Sequence, residues 1–369
     1  MKVMTIVGTR PEIIRLSRVM ARLDQTVEHV LVHTGQNYDY ELNGIFFDEL
    51  GIRKPDEFLE VDTSSLGRVL GETLIRSEEV LLKYRPDAVL VLGDTNSCIA
   101  AVMAKRMRIP VYHMEAGNRC FDENVPEETN RRLVDHVADF NLVYTEHARR
   151  NLLAEGLHPR RILKTGSPMR EVLIHHRGQF AESDVLSRLQ LGPKGYLLVS
   201  AHREENVDNP QRLEALLDCL VAARNAFGKR VLVSTHPRTR KRLDALGRDL
   251  PEDIEFHRPL GFIDYVRLQQ EAFCTLSDSG TISEESSVLG FPAITLRDSI
   301  ERPEALDTGA IMMTGLSAED VVTAVRMSVD GIGEGTRVPD DYFVANCSER
   351  AVRFIVSTAN RHMQWAGLR

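Results

Sequence analysis

Two series of short apolar runs alternate with helical patterns, and this constrains the fold more than any other feature of the chain. The first series is VMTIVG (3–8), HVLVHT (29–34), AVLVLG (88–93), PVYHME (110–115) and FNLVYT (140–145), with helix-period stretches such as 11–23 and 66–83 between them. Continuous apolar strands separated by helices predict a parallel sheet covered on both faces. Right-handed crossovers then give a doubly wound α/β domain. A second series starts after about residue 190: YLLVSA (196–201), RVLVST (230–235), IEF (254–256), FCTLSD (273–278) and PAITLR (292–297), with helices over 211–227 and 282–289. The polar, strand-poor segment 175–194 reads as a linker, and 348–364 as an amphipathic helix. The expected fold class is α/β, with two Rossmann-like domains facing each other across a cleft, at 1–174 and 190–347.

Length agrees, since 369 residues suit two domains of about 100–200 each. A net charge of −8 argues against nonspecific nucleic-acid or anionic-membrane partners, while leaving room for a local phosphate site. The five cysteines are scattered, with no CxxC and no zinc spacing, as expected of reduced thiols in a cytoplasmic protein. MKVMTIVG runs straight into a strand without a signal-peptide core, and no apolar run approaches the ~20 residues of a membrane span.

In such sheets, ligands bind beyond the carboxyl ends of the strands. Nearly every polar cluster here falls at one: GTRPE, TGQNYDY, GDTNS, EAGNR, AHREEN, THPRTR and DSGTISEE. In GTRPE, Gly8 permits a tight turn, Pro11 suits a first helical turn, and Arg10 can hold an oxyanion or pair with a carboxylate. Ser279 and Gly280 fall at a predicted helix N-terminus, which favours a phosphate; Glu285, further in, suits a ribose diol. An N-cap serine with a solvated glutamate is the plainer alternative. His202 and Arg203 open the second domain's first loop and fit a diphosphate, although a lone histidine is often a satisfied core residue. His236 and Arg302 extend the anion-binding set.

Against these stand three acids. Asp94 ends one strand, Glu115 ends the next, and Glu127 begins a helix after Pro126. Glu127 could simply stabilise its helix. Glu115 is harder to explain, because it closes an apolar strand; Arg119 and Arg131 are its candidate partners. Crowded carboxylates shift one another's titration and can act as acid and base near neutral pH. A diphosphate grip opposite an acid cluster suggests proton transfer on the sugar of a nucleotide sugar. No metal-site motif is evident, and no metal is expected.

GTRPE (8–12), GDTNS (93–97), HMEAGNR (113–119), PEETNRR (126–132), TGSPM (165–169), SAHREEN (200–206), STHPRTR (234–240), DSGTISEE (278–285) and ERPEA (301–305) together resemble the non-hydrolysing UDP-N-acetylglucosamine 2-epimerase family, in order along almost the whole chain. The resemblance implies a two-domain GT-B fold with its active site in the interdomain cleft and a C-terminal helix, 348–369, packed back on the first domain. It implies anti elimination of UDP to a 2-acetamidoglycal, then re-addition with the proton delivered to the opposite face of C2, without a cofactor. Asp94, Glu115 and Glu127 match the family's working carboxylates, and His202 the residue facing the departing diphosphate. Arg10, Arg131, Ser279, Gly280, Glu285 and Arg302 match substrate-holding positions, with Glu285 on the ribose. Arg15, Arg119, Arg203 and His236 complete the expected substrate contacts. The family also suggests a homodimer acting on a UDP-sugar.

Members acting on UDP-GlcNAc typically have Lys where this chain has Arg15, and Gln near Leu260. HTGQNYDYELN (33–43) stands where many carry an activator-site motif for a second UDP-GlcNAc. The chain instead resembles a subgroup of capsule and O-antigen synthesis that converts UDP-2-acetamido-2,6-dideoxy-L-talose to UDP-N-acetyl-L-fucosamine. The rival readings are a UDP-GlcNAc/UDP-ManNAc or UDP-diacetamido-uronate 2-epimerase, a hydrolysing epimerase, a GT-B glycosyltransferase, and a nucleotide-sugar sensor without turnover.

Overall fold

The computed structural model describes residues 1–35, 45–235, 237–331 and 338–367. The chain divides into two compact units: Met1–Val172 with Phe343–Arg369, and Leu173–Tyr342.

The first unit is built on a parallel sheet of seven strands: β1 (Lys2–Val7), β2 (Glu28–His33), β3 (Glu57–Phe58), β4 (Ala88–Leu92), β5 (Val111–Met114), β6 (Phe140–Val143) and β7 (Ile162–Lys164). Their order is β3-β2-β1-β4-β5-β6-β7. The order reverses between β1 and β4, which pair through Val3–Ala88, Met4–Val89 and Thr5–Leu90. Strands buried on both sides explain the near-continuous apolar runs. Met4, Ile6, Val30, Val32, Val89 and Val91 form one core face with Val80, Leu81, Ala100, Ala101 and Ala104 from the helices Leu66–Tyr84 and Ala100–Arg106. Helix Arg10–Thr26 buries Ile13, Leu16, Val19, Met20 and Leu23, a spacing that keeps one face inward. The C-terminal helix Cys347–Thr358 packs against it, burying Cys347, Ala351, Val352 and Ile355. Tyr112 of β5 and Thr358 join by hydroxyls 2.6 Å apart.

The second unit carries six parallel strands: β8 (Tyr196–Ser200), β9 (Arg230–Ser234), β10 (Ile254–His257), β11 (Cys274–Ser277), β12 (Ala293–Thr295) and β13 (Met312–Met313), in the order β10-β9-β8-β11-β12-β13. Its reversal lies between β8 and β11. Helices Pro210–Phe227 and Ala318–Asp330 cover one face through Leu213, Leu216, Leu217, Leu220, Val321 and Val325.

Two boundaries differ from the sequence expectation. Segment 175–194 carries the helices Arg177–Glu182 and Val185–Arg188, which belong to the second unit. Buried Phe180 stacks edge-on to Phe262 at 5.6 Å, and Val185 is fully buried, so two anchors suffice to fix a mostly polar stretch. The return to the first unit begins at Phe343 rather than at residue 348. Among the described residues no helix is long and apolar enough to cross a membrane.

Candidate active site

At the exit of β1, Gly8 turns so tightly that a Cβ would lie 2.3 Å from Thr34 Oγ1. The next helix starts behind Thr9 with a capping box closed by Glu12. Glu12 is almost wholly buried. It accepts the N–H groups of Gly8 and Thr9, each at 2.6 Å, the Thr95 hydroxyl at 2.8 Å and the Ser97 hydroxyl. Burial pushes its carboxyl up, against these hydrogen bonds. Glu12 thereby ties the exit of β1 to the exit of β4, across the reversal where an open sheet binds its ligand. Sequence reasoning missed this role, although Thr9 and Glu12 at the spacing of a capping box were visible.

Glu115 follows β5 with φ +64°, a left-handed backbone uncommon outside glycine. Its side chain, 7% exposed, meets the guanidinium of Arg15 in an ion pair. Sequence reasoning offers Arg119 and Arg131 as partners for Glu115; it does not name Arg15 as one, a cation from the first helix, 100 residues away in sequence. The carboxylate lies over Gly93, where a Cβ would come within 3.3 Å of Oε2. Below it His113, fully buried, faces the Gly93 carbonyl through Nε2 at 2.7 Å and Asp135 through Nδ1 at 2.9 Å.

Asp94 lies next to Gly93 and keeps a quarter of its side chain exposed. Arg131 donates to its Oδ2 from Nε (3.0 Å) and Nη2 (2.7 Å), and Asn130 donates to its carbonyl at 2.9 Å. Both donors come from helix Glu127–Val137, whose first residue is the half-buried Glu127. Asp94 and Glu115 are each countered by an arginine. Arg131 also donates to Glu128 at 2.8 Å. Burial pushes the Glu128 carboxyl up, but hydrogen bonds from Cys120 and the charges of Arg131 and Arg132 outweigh it and hold the group below its ordinary value.

Two further arginines have distinct fates. Arg10 stacks 5.5 Å from the Phe46 ring, makes no ion pair among the described residues, and has its affinity for a proton lowered by burial. A partly buried cation of this kind suits an incoming anion. Arg119, expected to hold substrate, is buried and donates to Asp135 (2.7 Å), to Glu155 (2.8 and 2.6 Å) and to the Asn118 carbonyl. It braces the turn after Glu115 instead, together with Gly117 N–H, which also donates to Asp135.

In the second unit the organising residue is Asp278, fully buried after β11. It accepts the backbone N–H of His202 (3.0 Å) and Arg203 (3.0 Å) and the Asn206 amide (3.2 Å), so the β8 loop is pinned to the β11 loop across the reversal. The His202 ring stays half exposed, its Nδ1 3.4 Å from Asp278 Oδ1. Arg203 donates to the Asp278 carbonyl at 2.9 Å and to Glu301 at 3.3 Å; it clamps loops as well as bearing charge. Arg302, buried, donates to the Gly280 carbonyl at 2.8 Å and pairs with Glu284. Ser279 and Gly280 precede helix Ile282–Leu289, with the Ser279 and Thr281 hydroxyls 2.9 Å apart. Glu285, in that helix, accepts from Gln269 at 2.6 Å. The expected contact His236 lies outside the described residues.

Each unit thus gathers its polar groups where its strand order reverses. The first presents carboxylates held by arginines, a set suited to moving protons. The second presents a helix N-terminus, a half-exposed imidazole, the partly buried Arg203 and the buried Arg302, a set suited to an anion.

Known proteins carry the same pattern. The profile of the family described as UDP-N-acetylglucosamine 2-epimerase matches residues 21–356. The structure of UDP-N-acetylglucosamine 2-epimerase from Rickettsia bellii is 45% identical, with a TM-score of 0.90, over 99% of this chain and 98% of that one. The Methanocaldococcus jannaschii UDP-GlcNAc 2-epimerase, in complex with UDP-GlcNAc and UDP, is 34% identical with a TM-score of 0.90, over 97% of this chain and all of that one (100%). A Pseudomonas aeruginosa UDP-2,3-diacetamido-2,3-dideoxy-D-glucuronate 2-epimerase is 35% identical over 92% of this chain and 94% of its own length. With the GT-B-like pair of parallel-sheet units and a match that runs nearly end to end, the chain belongs to the UDP-N-acetylglucosamine 2-epimerase family, enzymes that epimerise a carbohydrate.

Proposed function

We propose that this enzyme inverts C2 of a UDP-2-acetamido sugar by eliminating UDP and adding it back. The C2 proton is not acidic in the ground state. It becomes so as positive charge develops at C1 while the C1–O bond to UDP breaks. The C2–H electron pair then forms the C1=C2 bond of the glycal, and the diphosphate takes the C1–O pair. Base and leaving-group stabilisation must therefore act together, and this chain holds residues for both. Asp94, Glu115 and Glu127 carry the proton chemistry. His202, Ser279, Gly280, Arg302 and Arg10 hold the diphosphate, and Glu285 the ribose. Arg15 and Arg131 orient Glu115 and Asp94. In the return step UDP attacks C1, and C2 takes a proton on its other face.

The observation that carries this reading is the pair of fixed carboxylates at the exits of β4 and β5, Asp94 on Arg131 and Glu115 on Arg15. A glycosyltransferase needs one base for an acceptor, not two oriented acids on neighbouring strands.

The favoured substrate is UDP-2-acetamido-2,6-dideoxy-L-talose, giving UDP-N-acetyl-L-fucosamine. Arg15 in place of Lys and an apolar Leu260 support it; Leu260 packs on the cluster of Tyr196, Leu198, Leu232 and Leu268 and offers nothing to a sugar 6-hydroxyl. A second reading, a UDP-diacetamido-uronate, draws support from the P. aeruginosa relative and from Arg10, a cation that fits a sugar carboxylate. The test is to incubate the purified protein separately with UDP-N-acetyl-L-fucosamine, UDP-GlcNAc and UDP-diacetamido-glucuronate, and to follow the C2-epimer by proton NMR. Conversion of the fucosamine compound alone supports the favoured substrate. Conversion of either other sugar alone replaces it, and release of free UDP and sugar from all three contradicts retention of the glycal.

A further inference from the structure

At the other end of strands β5 and β6 from the acids lies a cavity of about 370 Å³, walled by Phe140, Trp365, Lys105, Arg160, Arg161 and the single acid Asp139. It is remote from the acids described above. Asp139 meets Val111, the first residue of β5, through both backbone and side chain, whereas Glu115 follows the last residue of that strand. Four residues of strand put roughly 13 Å between the two ends.

Among the described residues that line the cavity, the charges do not cancel. Asp139 is buried and already paired with Lys105. Arg161 donates to the backbone carbonyls of Asp139, at 3.0 Å, and of Ala138. Among the described residues its positive charge is met by carbonyl dipoles and not by an ion pair with an acid. Arg160 is exposed and stacks at 5.6 Å on Trp365; among the described residues its guanidinium donates no hydrogen bond and makes no ion pair. Beside it His158, which also lines the cavity, accepts the Arg160 N–H at Nδ1 (3.1 Å), which places the proton of the neutral ring on Nε2, a further donor.

The aromatic wall is packed from behind. Phe140 is buried and packs edge-on to Phe354 at 5.3 Å, to His362 at 6.1 Å and to Trp365 at 6.4 Å. Arg160 covers part of the Trp365 ring, and 41% of that residue stays exposed. The volume falls within the range of small-molecule pockets, about 300–1,000 Å³. A flat apolar surface beside unneutralised, forked donors is the chemistry that recognises a planar ring carrying a phosphate.

We propose that this cavity binds a nucleotide-class anion, its base against Trp365 and its phosphate on Arg160, Arg161 and His158. The site is separate from the one that takes the UDP-sugar, and the proposal does not rest on the epimerase reading.

Trp365 is the chain's only tryptophan, so its emission reports on this cavity. The intact protein is titrated with AMP, and in parallel with inorganic phosphate and with adenosine. The expected result is a saturable change in emission with AMP, with phosphate or adenosine alone binding more weakly. Loss of a charge-assisted contact in Arg160→Glu should raise the Kd for AMP by roughly tenfold or more, with C2 epimerisation of the UDP-sugar unchanged. Arg160→Gln should give a smaller effect in the same direction. No saturable change with AMP, an unchanged Kd in both variants, or phosphate binding as tightly as AMP would each overturn the proposal.

Discussion

The carboxylate of Glu115 pairs with the guanidinium of Arg15, and both side chains are nearly buried, at 7% and 11% exposure. One acid at the end of an apolar strand is thereby tolerated, because a charge from the first helix reaches it across the sheet. The pair also fixes where the carboxylate points. Breaking a buried pair from one side leaves an uncompensated charge, at a cost of about 3–5 kcal/mol. Arg15→Met should lower stability by an amount of that order and reduce turnover, whereas Arg15→Met with Glu115→Leu should recover stability but not turnover. Urea unfolding and C2-epimer formation on the same samples check both halves. A single variant as stable as the wild type would contradict the pairing.

Asp94 and Glu127 are assigned to proton transfer, so their amides should bind substrate and fail to turn it over. Asp94→Asn and Glu127→Gln are each expected to lower kcat by about a hundredfold or more, with UDP affinity by calorimetry changed little. Near-normal rates in both would remove the acid–base assignment.

Gly93 adopts φ +69°, and an added Cβ would sit 3.3 Å from Glu115 Oε2. Gly93→Ala therefore strains the backbone by about 1–2 kcal/mol and pushes on a carboxylate assigned to catalysis. The expected signature is a modest fall in Tm with a disproportionate loss in kcat. A loss in Tm alone would show that the carboxylate tolerates the shift.

His33, buried at the end of β2 between Phe47 and Phe58, has its imidazole pushed down to about 4 by burial, and its Nδ1 accepts the Gly35 N–H at 3.0 Å. The unfolded chain binds the proton near 6.5, above the folded value. Stability from this group is therefore complete above that pH and is lost as pH falls toward 4, by about 3 kcal/mol in all. His33→Asn, which keeps an acceptor for Gly35, should flatten this part of the profile. Urea midpoints at pH 7 and pH 4.5 for both proteins provide the measurement, and equal slopes would contradict it.

Much of this was legible in advance, for identifiable reasons. Strands buried on both faces print as unbroken apolar runs, so β1, β4, β5, β8 and β11 could be read directly, along with the polar loops that follow them. The edge strands Glu57–Phe58, Ile162–Lys164 and Met312–Met313 could not, because two or three residues carry no period. The helices at 177–188 were hidden by polar surfaces that outnumber their anchors. Within the site, Asp94, Glu115 and His202 stood out as charges at strand ends. Their partners did not: Arg15 lies on the helix after β1, and helical periodicity says nothing of which strand end a side chain will reach. Asp278 and Glu12 were passed over because each gathers backbone N–H groups together with side chains from distant loops, and neither kind of partner is marked by sequence spacing. Arg119 was misread for the converse reason, since Asp135 and Glu155 lie 16 and 36 residues downstream.

The central claim is that C2 of a UDP-sugar loses and regains its proton on this protein. The most direct measurement is proton NMR of the UDP-sugar with the enzyme in heavy water, for wild type and Asp94→Asn. The account predicts that wild type replaces the C2 proton with deuterium as the C2-epimer forms, and that Asp94→Asn does neither. Epimer appearing with its C2 proton retained, or no exchange with any of the three UDP-sugars, would contradict it.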